Sequence, residues 1–196
     1  MNAKPRHSLL SLAVIAAAVV TAGCADLITQ DRSPALLVIE LLEAAPGAST
    51  TFATTLQSDV VGAATGGAPT AATDMGRVTL RSIMKDALAT PSAVNAVTIT
   101  RYRVEFRRSD GRNTPGVDIP RPFESAISFT VPAGATAAAR TFELVRQGAK
   151  SEAPLSGLAT GLSIISTIAD VTFFGRDQAG KDLSVTGSIG VQFGNF

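Results

Sequence analysis

An all-β sandwich is predicted for most of this chain, on three observations. Leu183 to Phe193 alternates apolar residues at odd positions, Gly187 excepted, with small or polar residues at even ones. That period of two marks a strand with one face on a core and one toward solvent. Val97–Arg107 is a second long run of this kind, and further apolar runs are separated by Gly, Pro and Asp turns. The fold expected is an antiparallel β-sandwich of about seven or eight strands, immunoglobulin-like as first choice and a jelly-roll or open barrel as second. No cysteine or tryptophan of the strand region is present to mark an immunoglobulin core.

The chain begins differently. Lys4 and Arg6 precede Leu9–Ala22, an uncharged run of 14 residues (LLSLAVIAAAVVTA). At ~1.5 Å per residue a helix of that length falls short of a roughly 30 Å hydrocarbon core. A basic start, an apolar run and small residues at its end describe a removable export signal. The alternatives are an uncleaved anchor or a buried helix.

The run closes on Thr21-Ala22-Gly23-Cys24, which resembles the lipobox of bacterial lipoproteins. Ala22 and Gly23 fit that pattern, and Thr21 stands where leucine is commonest. The resemblance covers the export segment alone. It implies cleavage before Cys24, a thioether-linked diacylglycerol on Cys24 and an N-acyl chain, and so a cell-envelope protein attached to the membrane through that lipid. Because Ala25, not an aspartate, follows the cysteine, the resemblance also points to the outer membrane, with the domain in the periplasm or at the surface. More than one acyl chain gives stable anchoring, each buried CH₂ contributing ~0.8 kcal/mol. The competing reading is ordinary signal cleavage with Cys24 left as a free thiol, a liability in an exported protein.

Removing residues 1–23 from 196 leaves 173 residues, one domain's worth, with 15 basic and 16 acidic side chains. Residues 24–33 are read as the lipid-anchored tether and 34–196 as the sandwich domain. Leu36–Leu42 is apolar on both parities, which predicts a central or doubly covered strand. Thr50–Val61 and Arg77–Leu80 are further strand candidates, with 62–74 (GAATGGAPTAATD) between them read as a long flexible loop. In Leu80–Leu88, Leu80, Ile83, Met84 and Leu88 share a helical face, predicting a turn or two of helix.

Val97–Arg107 places Val97 and Ile99 on one face, then Tyr102, Val104 and Phe106 after a one-residue slip, the mark of a β-bulge. Arg101, Arg103, Glu105 and Arg107 form its outer face. Ala126–Val131 and Arg140–Val145 are strand candidates, and 147–161 is read as a second loop. Ile164–Phe174 and 183–193, joined by Asp177-Gln-Ala-Gly-Lys-Asp182, form a C-terminal hairpin with Gly180 at positive φ and Gly187 at a bend or close approach.

The only histidine, His7, lies in the export segment and the only cysteine is Cys24. Histidine-based nucleophile systems, His-ligated zinc and thiol chemistry are therefore excluded for the domain. No dinucleotide or phosphate loop occurs, and no cofactor is called for. A near-neutral charge and the absence of a basic run give no footprint for nucleic acid, and no small-molecule substrate is evident.

Carboxylates remain. Asp110 and Asp118, with Asn113 and Arg112, lie in one loop, and Glu124 follows it. Oxygen-rich loops suit calcium, yet these residues are also the ordinary vocabulary of turns, and the spacing is not that of an EF-hand. Two functions are expected in turn: a non-enzymatic envelope module that binds a protein partner, or a carboxylate-based hydrolase or calcium-dependent binder using Asp110, Asp118 and Glu124. A flat strand edge favours the first, and a cleft joining two of those carboxyls the second.

Overall fold

The structure is a computed structural model that describes residues 33–62, 71–137 and 139–196. The segment expected to be an export signal, Cys24 and most of the loop expected at 62–74 lie outside the described residues. Eight strands form two facing sheets: β1 (Ala35–Ala45), β2 (Thr55–Asp59), β3 (Asp74–Met84), β4 (Val97–Arg107), β5 (Phe123–Val131), β6 (Arg140–Val145), β7 (Ile165–Asp177) and β8 (Asp182–Gly194). A short helix α1 (Gln147–Lys150) follows β6. The strand orders are β1-β3-β6 and β2-β8-β7-β4-β5. The chain is thus a β-sandwich, as expected. It is not wholly antiparallel, because β2 runs parallel to β8.

The C-terminal hairpin forms where alternation placed it. Thr172 lies opposite Thr186 and Ile165 opposite Phe193, and Gly180 turns the chain at φ 78°. Gly187 is a close approach: a β-carbon there would stand 2.6 Å from Ile39 Cδ1 on the facing sheet. Strand β4 has the expected bounds and slip, with its register against β7 shifting between Ile99 and Arg101. Val97, Ile99, Tyr102, Val104 and Phe106 are all buried. The slip lets one strand keep its apolar set on the core as the sheet twists.

Strand β1 corrects one expectation. It is an edge strand, and its two-sided apolar character has the same cause as the slip in β4. Its register against β3 shifts between Ile39 and Leu41. Before the shift Ala35, Leu37 and Ile39 face the core, and after it Leu42 and Ala44 do, while Leu36 and Leu41 stay exposed.

Three further expectations are corrected. The helix expected at 80–88 is absent, because β3 continues to Met84 with Leu80 and Ser82 inward and fully buried. Of Thr50–Val61 only Thr55–Asp59 is strand, since the chain crosses between sheets at 46–54, held by mutual Ala44–Ala53 backbone hydrogen bonds. Residues 147–161 are not a bare loop. They carry α1 and a 3-10 turn at Leu155–Leu158, whose two leucines are buried in the core.

The core centres on Tyr102, Phe142 and Phe173, with ring centroids 5.1 Å (Tyr102–Phe142) and 5.3 Å (Phe142–Phe173) apart in edge-on geometry. Such pairs contribute ~0.5–1.5 kcal/mol each beyond burial. Phe142 needs Gly76 opposite it, where a β-carbon would lie 2.3 Å from the ring.

Candidate functional site

The two ends of the sandwich differ in what they carry. Ala35 lies opposite Met84, and the Lys85 amide donates to the Pro34 carbonyl at 2.8 Å. The described chain therefore starts at the end that carries the 85–96, 132–139 and 178–181 connections. The 108–122 connection, α1 and the C-terminus lie at the opposite end, where Asp74 of β3 pairs with Val145 of β6.

The sequence-selected residues Asp110, Arg112 and Asp118 sit in this far connection. Asp110 is clamped by arginine. Arg108 donates to both its oxygens, Arg112 Nε approaches at 3.3 Å, and the Arg112 amide donates at 3.1 Å. The Arg108 guanidinium, aided by the Arg112 amide, lowers its pKa to about 2. Asp118 instead accepts from the Thr114 amide at 3.2 Å, an ordinary turn contact. Glu124 lies on β5 and pairs with Arg101 on the neighbouring strand at 2.8 Å.

Asp110 and Arg112 are thus brought together, while Asp118 and Glu124 each answer a different partner. Among the described residues no group of three or more His, Cys, Asp or Glu side chains is gathered to hold a metal. The other loop acids are similar: Asp177 Oδ1 accepts the Lys181 amide and Asp182 pairs with Arg176 at 2.7 Å. The arginines on the outer face of β4 are also engaged, Arg101 over the Phe174 ring at 3.9 Å and Arg107 on Asp170 at 2.6 Å. That is the solvated face the alternation predicted.

A cleft of about 340 Å³ opens instead where the edges of β5 and β6 face each other across the sandwich. Strand β5 contributes Ser125, Ala126 and Ile127, β6 contributes Thr141, Phe142 and Glu143, and Met75 and Tyr102 complete it. Asp110, Asp118 and Glu124 do not line it. Glu143 is its one carboxylate and Tyr102 its only other titratable residue. A two-carboxylate mechanism has no pair here to use.

Tyr102 closes part of the β6 edge. Its hydroxyl donates to the Glu143 carbonyl at 3.1 Å and accepts from the Glu143 amide at 3.2 Å. Burial raises its pKa above the ordinary phenol value. Arg146 works from the other side. Its guanidinium stacks on Phe123 at 3.9 Å and donates to the Glu124 carbonyl on β5 at 3.1 Å. Among the described residues, no strand neighbours the remainder of the β5 edge.

Sequence reasoning missed one buried polar node. The Asp74 carboxylate accepts Lys150 Nζ at 2.8 Å, the Ser58 hydroxyl at 2.6 Å and the Gly47 amide at 2.8 Å. Both charged side chains are 1% exposed. The node ties the β1–β2 crossing, β2, β3 and α1 into one piece. Nothing in spacing marks it, because its members are up to 103 positions apart in the chain, from Gly47 to Lys150.

No protein-family model matches the chain, and no curated protein matches it.

Proposed function

We propose that this protein is a non-enzymatic binding module of the bacterial cell envelope, held to the membrane by lipid on Cys24, that receives an extended segment of a protein partner along the open edge of β5. The observation that carries the reading is the edge itself. Strand β5 ends its sheet, spans nine residues and contains neither lysine nor proline. Its outward residues are Glu124, Ala126, Ser128 and Thr130, one charge among small side chains. Soluble proteins blunt edges of this length with charge, proline or a covering element, since unpaired ladder groups invite another strand. The adjoining cleft offers apolar and hydroxyl groups for alternate side chains of such a segment, as in recognition by strand addition.

The strand order supports an immunoglobulin-like reading. Strands β3 and β6 occupy the places of B and E, and β4, β7 and β8 those of C, F and G, with β5 in the place of C′. No described strand fills the place of D beside β6, which is why this side of the sandwich is open. The separate engagement of Asp110, Asp118 and Glu124 favours binding over hydrolysis or calcium capture.

Photo-crosslinking in intact cells tests the proposal. A photoreactive residue at Ser128 is expected to form an adduct with a second envelope protein, and one at Thr186, on the outer face of β8, is not. Ala126→Lys should abolish the Ser128 adduct while leaving the fold intact. No adduct at Ser128, or the same adducts from both positions, would overturn the assignment.

A further inference from the structure

We infer that the end of the sandwich carrying the 85–96, 132–139 and 178–181 connections docks on the surface of the anchoring bilayer, with Leu88 entering the headgroup region, and that the opposite end is held away from that membrane. The inference rests on the lipid anchor at Cys24 proposed above. The described chain begins at this end, where Ser33 is buried and the Pro34 carbonyl is fixed by the Lys85 amide. Residues 25–33 connect Cys24 to it, and at ~3.6 Å per residue they span at most ~32 Å when fully extended. The two longest strands, β7 and β8, have 13 residues each, so the sandwich is ~43 Å long at ~3.3 Å per residue. The tether is shorter than the domain. The domain therefore cannot stand upright on its far end above the leaflet that holds Cys24, whereas the near end reaches that leaflet without strain.

The near end is also suited to a lipid surface. Leu88 is 94% exposed at the tip of the 85–96 connection, in a turn closed by the Asp86 side chain and carbonyl. Val94 in the same connection is 53% exposed, and Leu36 at the start of β1 is 43% exposed. The three connections form one surface: the Gln178 amide donates to the Val94 carbonyl, and Gly134 packs on Pro91, where a β-carbon would stand 2.6 Å from the ring. An exposed leucine at a tethered end gains hydrophobic stabilisation for each CH₂ it buries among lipid. The tether removes most of the entropy cost of finding the surface.

Full-length mature lipoprotein, extracted from membranes and reconstituted into vesicles of phosphatidylethanolamine and phosphatidylglycerol, tests this. Leu88→Cys and Leu162→Cys each carry an environment-sensitive fluorophore, Leu162 being 97% exposed at the far end. Both chains are first floated with vesicles and weighed by mass spectrometry. The expected result is quenching by spin-labelled lipid and a blue-shifted emission at position 88, several-fold stronger than at 162. A second protein carrying Leu88→Asp, with the reporter at Val94→Cys, should float unchanged but lose the quenching seen at 94 when Leu88 is present. Floating, acylated protein with equal quenching at 88 and 162, or none at 88, overturns the docking and leaves the anchor standing. Protein that neither floats nor carries acyl mass overturns the anchor, and the docking with it.

Discussion

Replacing Lys150 by methionine should destabilise the domain by breaking its buried ion pair with Asp74. The substitution keeps the length of the side chain and removes its charge. What remains is the Asp74 carboxylate, 1% exposed, with only the Ser58 hydroxyl and the Gly47 amide to compensate it. Breaking one side of a buried, hydrogen-bonded pair costs ~3–5 kcal/mol, because the partner's charge is stranded in low dielectric. With a urea slope of ~2 kcal/mol/M, the unfolding midpoint should fall by ~1.5–2.5 M. The mature chain carrying Cys24→Ser, unfolded in urea, provides the assay. Far-UV circular dichroism reports the sheets, and Tyr102, the only tyrosine in a chain without tryptophan, reports the core. The double variant Asp74→Asn with Lys150→Met should recover much of the loss, since no unpaired charge is left. The cycle should then show coupling on the order of 1–3 kcal/mol. A Lys150→Met midpoint matching that of the unsubstituted chain would show that Asp74 and Lys150 do not form a buried pair in solution, because an uncompensated buried carboxylate cannot be neutral in effect.

Four further outcomes are expected. The Asp110 carboxyl, followed by NMR, should titrate at about 2, and Arg108→Ala should move it up toward the ordinary carboxylate range; its contribution to stability is present above the unfolded value of ~3.9 and is lost as pH falls toward the folded one. Tyr102→Phe should cost ~0.5–1.5 kcal/mol in the urea assay, the net worth of a hydroxyl that both donates to and accepts from Glu143. The same phenol, its pKa raised by burial, should resist alkaline ionisation in ultraviolet absorbance, with its stabilising contribution present below ~10 and lost as pH rises past the raised value. Gly175→Ala should destabilise by ~1–3 kcal/mol, because a β-carbon there would stand 2.7 Å from the Thr98 carbonyl of the neighbouring strand, where backbone and not a flexible side chain must yield.

What the sequence revealed of the fold depended on whether the two faces of a strand differ chemically. In β4 the outer face is Arg101, Arg103, Glu105 and Arg107, so the change of parity at the bulge stands out against charge. In β1 the outer positions include Leu36 and Leu41, and the same kind of slip is masked, so an edge strand reads as a central one. In β3 a small polar residue, Ser82, occupies a fully buried inward position. That breaks the period of two and lets Leu80, Ile83, Met84 and Leu88 mimic a helical face. The site was less legible still. Acids close together in sequence drew attention to the 108–124 region, yet the strands send Glu124 to Arg101 while Arg108 takes Asp110. The cleft and the Asp74 node join residues from several strands, and no local pattern encodes such contacts. The open β5 edge follows from strand order alone, which no single segment carries.

The intact mass of the protein extracted from membranes, measured beside Cys24→Ala, decides whether Cys24 carries the lipid on which both the envelope role and the orientation of the domain depend. A chain that starts at Cys24 and carries added diacylglycerol and acyl mass, absent from the Cys24→Ala protein, is the predicted result. An unacylated chain, released freely into the soluble fraction with or without the substitution, would rule out the anchor.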